Sequence, residues 1–283
     1  MKKQILPIVV LYKKELSDAE SINTLLDSDI DNSISDIFVY DNTPENFIKN
    51  NIVCEVYRNR NVIYYHDIKN SGVSTAYNSG MKKANELNYK YVLLLDQDTV
   101  FPSDALKFYQ QSIEDQPGIN LHVPRLLTKK GEFCSPLRYA FHRGFVTNEL
   151  SSGIYSLNTY SPINSGMLLD VNTAILAGGY NNKVYLDFSD FQFIERLKNI
   201  SSSFYLMPLT LEQDLSNDDE NYINLLNRYA IYCECARFCE KNNIYDELIY
   251  FMMVLIRGIK LVQRTKMLKF ISIFYNNYVR GKK

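Results

Sequence analysis

Two carboxylates one residue apart, Asp96 and Asp98, follow directly on the apolar run Tyr91–Leu95 (YVLLL). In an extended segment residues i and i+2 point the same way, so both acids can face one point beyond the strand end. Ligands of open α/β sheets bind in that crevice, outside the carboxyl ends of the strands. Adjacent carboxylates repel, and a divalent cation removes the conflict. Mg²⁺ or Mn²⁺ typically takes one or two carboxylates together with substrate phosphate oxygens. An Asp-x-Asp pair alone is common in solvated loops; the buried strand in front of this one makes it a candidate metal site.

Two further segments carry chemistry by type and spacing. Asn70-Ser71-Gly72-Val73-Ser74-Thr75-Ala76-Tyr77-Asn78-Ser79-Gly80 is rich in small residues and lies between a strand pattern and a helix pattern. Small residues let backbone approach a ligand, and a helix N-terminus favours phosphate. Neither the dinucleotide fingerprint nor a P-loop is present, and tight packing through Ala76 and Gly80 is the plainer explanation. In Leu186–Phe193 (LDFSDFQF) Asp190 stands at an expected helix start, where it serves either as a capping acid or as a general base reached across a cleft. Cys233, Cys235 and Cys239 do not converge on a helix and read as packing. His66, His122 and His142 fall in no ligand spacing. No G-x-S-x-G element occurs, which removes the common hydrolase reading.

The elements that must hold these residues follow from the hydrophobic pattern. Strands are expected at Ile5–Leu11, Asp36–Tyr40, Val62–Tyr65, Tyr91–Leu95 and Phe204–Met207, the last stopped by Pro208. Helices are expected at Ala19–Leu26, Val73–Asn88, Pro102–Asp115 with Ser103 as N-cap, Asn172–Leu176 and Asp190–Leu197. Residues 118–165, broken by Pro and Gly every few positions, read as loops and short strands. The alternation argues for an α/β domain with a mainly parallel sheet. The acidic stretch Asp214–Asn221 marks a boundary between a domain at 1–215 and a helical region at 216–283. There Leu248, Met252, Leu255, Ile259 and Val262 form one apolar stripe, and Arg257, Lys260 and Arg264 share the face opposite it.

At 283 residues, 46% hydrophobic and 22% charged, the chain has globular composition. A net charge of −1 gives no sign of nucleic acid as a partner. Residues 257–283 nevertheless hold eight basic residues and no acid, leaving the rest at −9. Five unevenly spaced cysteines suit a reducing, cytoplasmic setting. The apolar start is followed at once by Lys13, Lys14 and Glu15, as in an opening strand rather than a signal peptide. No run reaches the ~20 residues of a membrane span. The basic helical end points to an anionic membrane surface on which the protein rests.

On these motifs the chain resembles bacterial family 2 glycosyltransferases of the GT-A fold, most closely the rhamnosyltransferase-like branch of surface polysaccharide assembly. The resemblance rests on Leu95-Asp96-Gln97-Asp98; on Asn70, Gly72, Ala76, Asn78 and Gly80; on Asp41 in Val39-Tyr40-Asp41-Asn42; on Asn164-Ser165-Gly166 before an apolar strand; on Gly178-Gly179-Tyr180; and on Leu186–Phe193. It covers roughly residues 4–235. It implies an inverting, metal-dependent transferase with Mn²⁺ or Mg²⁺ on Asp98 and Asp96 and with Asp190 as catalytic base. Tyr12, Asp41, Asn70, Gly72, Asn78, Asp96, Gln97, Ser165 and Gly166 would line the site of a nucleoside-diphosphate sugar, either dTDP-rhamnose or a UDP-hexose. The acceptor would be a glycan, lipid-linked. Two positions depart from the family pattern: Gln192 stands where an acid is usual, and Gln213 where a metal-binding His is usual, with Glu212 and Asp214 beside it as alternative ligands. A nucleotidyltransferase would want glycines after the first strand, and Leu11-Tyr12-Lys13-Lys14-Glu15 has none. A retaining transferase would not need Asp190 as base. A non-catalytic nucleotide- or glycan-binding module of the same fold is the remaining alternative.

Overall fold

The computed structural model describes residues 3–44, 55–214 and 222–281. Its centre is β1, Lys3–Leu11, where alternate residues enter opposite cores: Leu6, Ile8 and Val10 one way, Ile5, Val9 and Leu11 the other. Such a strand, buried on both faces, must be apolar throughout. β2 (Asp36–Asp41), β3 (Arg60–His66) and β4 (Tyr89–Asp96) run parallel beside it. Helices α1 (Glu20–Asp27), α2 (Gly72–Glu86) and α3 (Ala105–Asp115) cover the faces.

The other half of the sheet is mixed rather than mainly parallel. β5 (Leu121–Thr128), β6 (Leu168–Asp170) and β7 (Ser203–Gln213) extend it in the order β7-β5-β6-β4-β1-β2-β3, with the short strands Gly153–Ser156 beyond β7 and Val56–Tyr57 beyond β3. β6 runs antiparallel to both neighbours. Its entrance, Asn164–Gly166, therefore lies at the carboxyl end of β4, where the Gly166 amide donates to the Leu94 carbonyl at 2.8 Å. A small sheet, Leu137–Ala140, Arg143–Phe145 and Tyr160–Ser161, stands apart from the main one.

Three sequence expectations are corrected here. β5 is a full strand inside the stretch read as loops, and β7 continues past Pro208 to Gln213. The two errors share a cause. The β5–β7 register shifts between Leu206 and Thr210, opposite Pro124, and a bulge removes the need for the amide hydrogens that both prolines lack. Third, α3 begins at Ala105 with Asp104 in the cap position and no side-chain cap bond, so Ser103 is not its N-cap.

Beyond α4 (Val171–Leu176) and α5 (Ser189–Leu197) come α6 (Tyr222–Phe238), α7 (Ile244–Thr265) and α8 (Lys269–Ile273), followed by a wide helical turn at Phe274–Arg280. The buried face of α7 is Tyr250, Val254 and Gly258. Leu248, Met252 and Ile259 of the expected stripe are 56%, 43% and 41% exposed, whereas Leu255 and Val262 pack partly buried against the helical core, so the stripe docks only in part. Close approach decided the docking face: a Cβ on Gly258 would strike the Tyr229 hydroxyl, which donates to the Val254 carbonyl at 2.9 Å. Arg257 does not stand free opposite the stripe either; its guanidinium lies 4.2 Å from the Tyr232 ring centroid. The helices share a core with Val184 and Phe188, so they pack on the segment that leads into α5. Cys233, Cys235 and Cys239 are buried in that core as free thiols. Among the described residues no helix is long and apolar enough to cross a membrane.

Candidate active site

Parallel register sets the site. Val10 of β1 pairs with Asp96 and Leu11 with Asp41, so the two acids flank the end of the central strand. Gln97 turns the other way. Its side-chain oxygen accepts from the Tyr12 amide at 2.8 Å and its nitrogen donates to the Tyr12 carbonyl at 3.3 Å. This clamp fixes the chain after β1 and leaves Tyr12 42% exposed. Asp96 and Asp98 remain for the crevice.

Burial, added to the nearby Asp98 charge, pushes the Asp96 carboxyl up to about 6, against the opposing hydrogen bond donated by the Tyr77 hydroxyl at 2.8 Å. Burial also raises Asp98, while the Gln213 side-chain amide, donating to its Oδ1 at 2.8 Å, pulls the other way. Gln213 is fixed in that orientation because its own oxygen accepts from the Thr99 hydroxyl, which also bonds the Ser165 hydroxyl. Gln213 thus presents an N–H to Asp98 rather than a lone pair to an ion. Asp214 pairs with Lys129 at 2.8 Å, and Glu212 lies exposed on β7. Among the described residues no cluster of three His, Cys, Asp or Glu could hold a metal alone. Two desolvated carboxylates that repel each other suit an ion whose remaining ligands come from a diphosphate and water.

Around this pair the other expected residues divide. Asp41 is buried and accepts from the Tyr64 hydroxyl at 2.6 Å and from the Thr43 amide at 2.8 Å, which fixes its carboxylate at the strand end. Asn70, in a left-handed conformation, is exposed on the loop before α2 and lines an open groove with Ser71 and Thr75. Gly72 is a joint: it has φ +87°, and a Cβ would run into the Tyr185 carbonyl. Asn78 is turned from the crevice. It clamps the Gly178-Gly179-Tyr180 turn, donating to the Tyr180 carbonyl at 2.9 Å and accepting from the Tyr180 amide at 2.8 Å. Ser165 backs the Gln213–Asp98 network, and Gly166 is packed between Leu211 and Pro124.

Asp190 reaches the same region from α5. Burial pushes its carboxyl up to about 6, opposed by the Phe191 amide at 2.9 Å, with Asp96 close enough to add to the rise. Asp190 therefore senses the Asp96 charge, and burial raises both carboxyls. Phe188, two residues earlier, is 7% exposed with φ +66°, a costly conformation for an aromatic residue that persists only where its surroundings fix it. Asp187 pairs with Arg228 of α6 at 3.0 Å, and its charge also raises Asp190.

Several residues that organise the site were not singled out from the sequence. Asp67 accepts from the Tyr40 hydroxyl and from the amides of Lys69 and Ser71, building the turn before α2. The polar run Asp67–Ser71 carries a turn signal that could have found it. Tyr77 and Thr99 sit inside or beside quoted motifs. Glu195 and His142 have no local signal.

A model of the family described as Glycosyl transferase family 2 matches residues 8–170, which includes Asp41, Asn70–Gly80, Asp96–Asp98 and Ser165–Gly166 and ends before Asp190. Comparison with curated protein sequences finds no match. Among solved structures, TarS residues 1–349 from S. aureus align with 87% of this chain and 69% of that one, at TM-score 0.58 and 15% identity. The same protein in complex with UDP-GlcNAc aligns with 97% of this chain and 79% of its own, at TM-score 0.59 and 14% identity. GalNAc-T7 with UDP, GalNAc and Mn²⁺ gives 81% and 47%, TM-score 0.57 and 11% identity. At these identities the likeness is one of fold, the GT-A arrangement of a central sheet covered by helices.

Proposed function

Because the chain belongs to glycosyl transferase family 2, we propose that it is an inverting transferase that moves a sugar from a nucleoside diphosphate to a hydroxyl of a glycan acceptor. The observation that carries this reading is the pair Asp96 and Asp190, each raised to about 6 by burial, with the Asp96 charge adding to the rise of Asp190. One acid belongs to the sheet end and the other to α5, so donor and acceptor can enter between them.

The nucleoside would lie against Asp41 and Tyr12, with the loop 70–72 beside it. Asp98 and Asp96 would hold Mg²⁺ or Mn²⁺, which when bound neutralises charge on the departing diphosphate. Asp190 accepts the proton of the acceptor hydroxyl while that oxygen forms its bond to the anomeric carbon. The bond from that carbon to the diphosphate oxygen breaks on the opposite face, and its electron pair leaves with the nucleoside diphosphate. A carboxylate near 6 is ionised at neutral pH yet more basic than a solvated one, which suits a general base. Asp187, tied to Arg228, is poorly aimed for the task. Asp190→Asn should lower turnover by about 10²–10⁴-fold with nucleotide affinity little changed. Transfer at a wild-type rate in that variant would sink the assignment.

The resemblance to the rhamnosyltransferase-like branch favours dTDP-rhamnose, with UDP-hexoses as competitors; a thermal-shift panel of both with Mn²⁺ ranks them. We read 1–215 as the transferase domain and 216–283 as a helical extension that covers the base segment and meets an anionic membrane on the cytoplasmic side, where a lipid-linked acceptor for surface polysaccharide would be presented. Exposed Met267, Leu268, Ile271, Tyr275 and Val279 beside Lys266 and Lys269 support that surface. Each basic residue near such a leaflet adds up to about 1 kcal/mol. Equal binding to neutral and anionic vesicles at low salt would remove the membrane from this reading.

A further inference from the structure

The imidazole of His142, at the tip of the turn joining Leu137–Ala140 to Arg143–Phe145, lies between two carboxylates. Its Nδ1 is 2.8 Å from Glu195 Oε1 on α5, and its Nε2 is 3.0 Å from Asp246 Oδ1 on α7. All three side chains are largely shielded, at 14%, 18% and 13% exposure. An ionised carboxylate only accepts hydrogen bonds, and a neutral imidazole has one N–H. A neutral ring would therefore turn a lone pair toward one of the two carboxylates, whereas an imidazolium satisfies both.

The neighbours reinforce that requirement. The Tyr139 hydroxyl donates to the same Glu195 oxygen at 2.7 Å, and the Gln192 amide donates to the other Glu195 oxygen at 2.7 Å. The amide oxygen of Gln192 accepts from the Glu240 backbone N–H at 2.6 Å. The residue standing where the family usually has an acid is thus a strut between α5 and the chain after α6. Tyr250 of α7 stacks on the His142 ring with centroids 4.8 Å apart. On the Tyr250 ring lies the ammonium of Lys241, lowered by burial, and near it the Cys239 thiol, raised by burial.

We propose that His142 is a positioning residue for the base: as an imidazolium it ties α5, which carries Asp190, to α7 and to the hairpin, and loss of its proton loosens that helix. The catalytic consequence rests on the reading of Asp190 as base; the tie itself does not. The hydrogen bond to Glu195 raises the imidazole above its ordinary 6.5, burial opposes the rise, and Asp246 adds to it. For a raised group, the stabilisation is fully present below 6.5 and is lost as pH rises through the higher folded value.

The test uses the full chain without substrate or metal. The chain has three histidines, and the Cε1–H resonance missing from His142→Gln identifies the one of interest. That resonance should titrate above 6.5, and across the same interval the α5 amides should exchange roughly tenfold faster after correction for intrinsic chemistry, the loss of one charge-assisted bond. Asp246→Asn is the decisive variant. Its side-chain amide can donate to a neutral Nε2 while its oxygen still accepts from the Asn242 amide, which now bonds Asp246 Oδ2 at 2.8 Å. It should lower the His142 midpoint and keep α5 protected to higher pH than in wild type. A midpoint at or below 6.5, α5 exchange indifferent to pH, or Asp246→Asn identical to wild type would overturn the proposal. In Mn²⁺-dependent hydrolysis of UDP-GlcNAc or dTDP-rhamnose, the alkaline limb of kcat should move with the same variant while KM stays fixed. If neither donor is turned over while resonance and exchange behave as stated, the tie stands and the transferase reading is the one in trouble.

Discussion

The acids of the sheet end and the acid of α5 are held in unlike ways. Asp96 and Asp98 stand on the end of the most deeply buried part of the sheet; their partners Tyr77 and Gln213, with Thr99 and Ser165 behind Gln213, come from elements that frame the strand ends. Asp190 stands on a short helix whose approach, Val184–Phe188, is buried by helices from the far end of the chain. The sheet end is a rigid platform with a two-carboxylate port. The base segment is a wedge whose position depends on contacts made 40 to 90 residues later in sequence. Donor binding and proton transfer should therefore be separable by mutation.

The largest effect expected is on the platform side. Asp98→Ala removes one of the two carboxylates proposed to hold the ion, and the Gln213 side chain that faces it presents an N–H there rather than a lone pair. Metal-dependent binding of nucleoside diphosphate should be abolished in calorimetry, whereas Asp190→Asn should bind normally. Unchanged affinity in Asp98→Ala would break the contrast and move the metal site elsewhere.

Gly72 joins the two regions and should report on both. The Val73 amide donates to the Tyr185 carbonyl at 2.9 Å, and the Ser74 hydroxyl to the Val184 carbonyl at 2.6 Å, so the start of α2 is stitched to the base segment. Gly72→Ala adds a Cβ at a left-handed position already in contact with Tyr185. A loss of about 2–4 kcal/mol in chemical denaturation is expected. Unlike Asp98→Ala or Asp190→Asn, it should weaken nucleotide binding and turnover together. If only one of the two falls, the regions are less coupled than this stitching implies.

The same contrast explains what the sequence discloses. The platform was legible because its signals are local: a continuous apolar strand, two acids at i and i+2, and small residues opening a helix. Strand register then brings Asp41 and Asp96 to the end of β1 with little further help. Asp190 was legible as a residue, but its setting was not. Gln192 read as a defect in a pattern, yet it is fully buried and braces Glu195 and the Glu240 backbone. The stripe Leu248–Val262 has good helical periodicity and still faces mostly outward, because the glycine at 258 admitted a closer approach to Tyr229. Periodicity identifies an apolar face, whereas contact distance decides which face docks. Pro124 and Pro208 hid β5 and the end of β7 because the bulge that accommodates both exists only once the strands are paired.

The smallest expected effect concerns stability rather than function, and its sign opposes the functional one. A buried carboxyl raised from 3.8 to about 6 favours the protonated folded state. The stabilisation this gives is fully present below 3.8 and is lost as pH rises through about 6. Asparagine keeps the shape of Asp190 and can still accept the Phe191 amide, and it carries no charge at any pH. Asp190→Asn should therefore match wild type near pH 4 and become more stable above about pH 7, by a gain on the order of 1–3 kcal/mol. Thermal melts of both proteins across that range measure it. A solvated, capping Asp190 would give the reverse, since an ionised cap favours its helix N-terminus and its loss would cost stability at neutral pH. The direction of one shift in melting temperature thus decides whether Asp190 is held for the cleft or for the helix. It does so without any knowledge of the sugar, the acceptor or the metal.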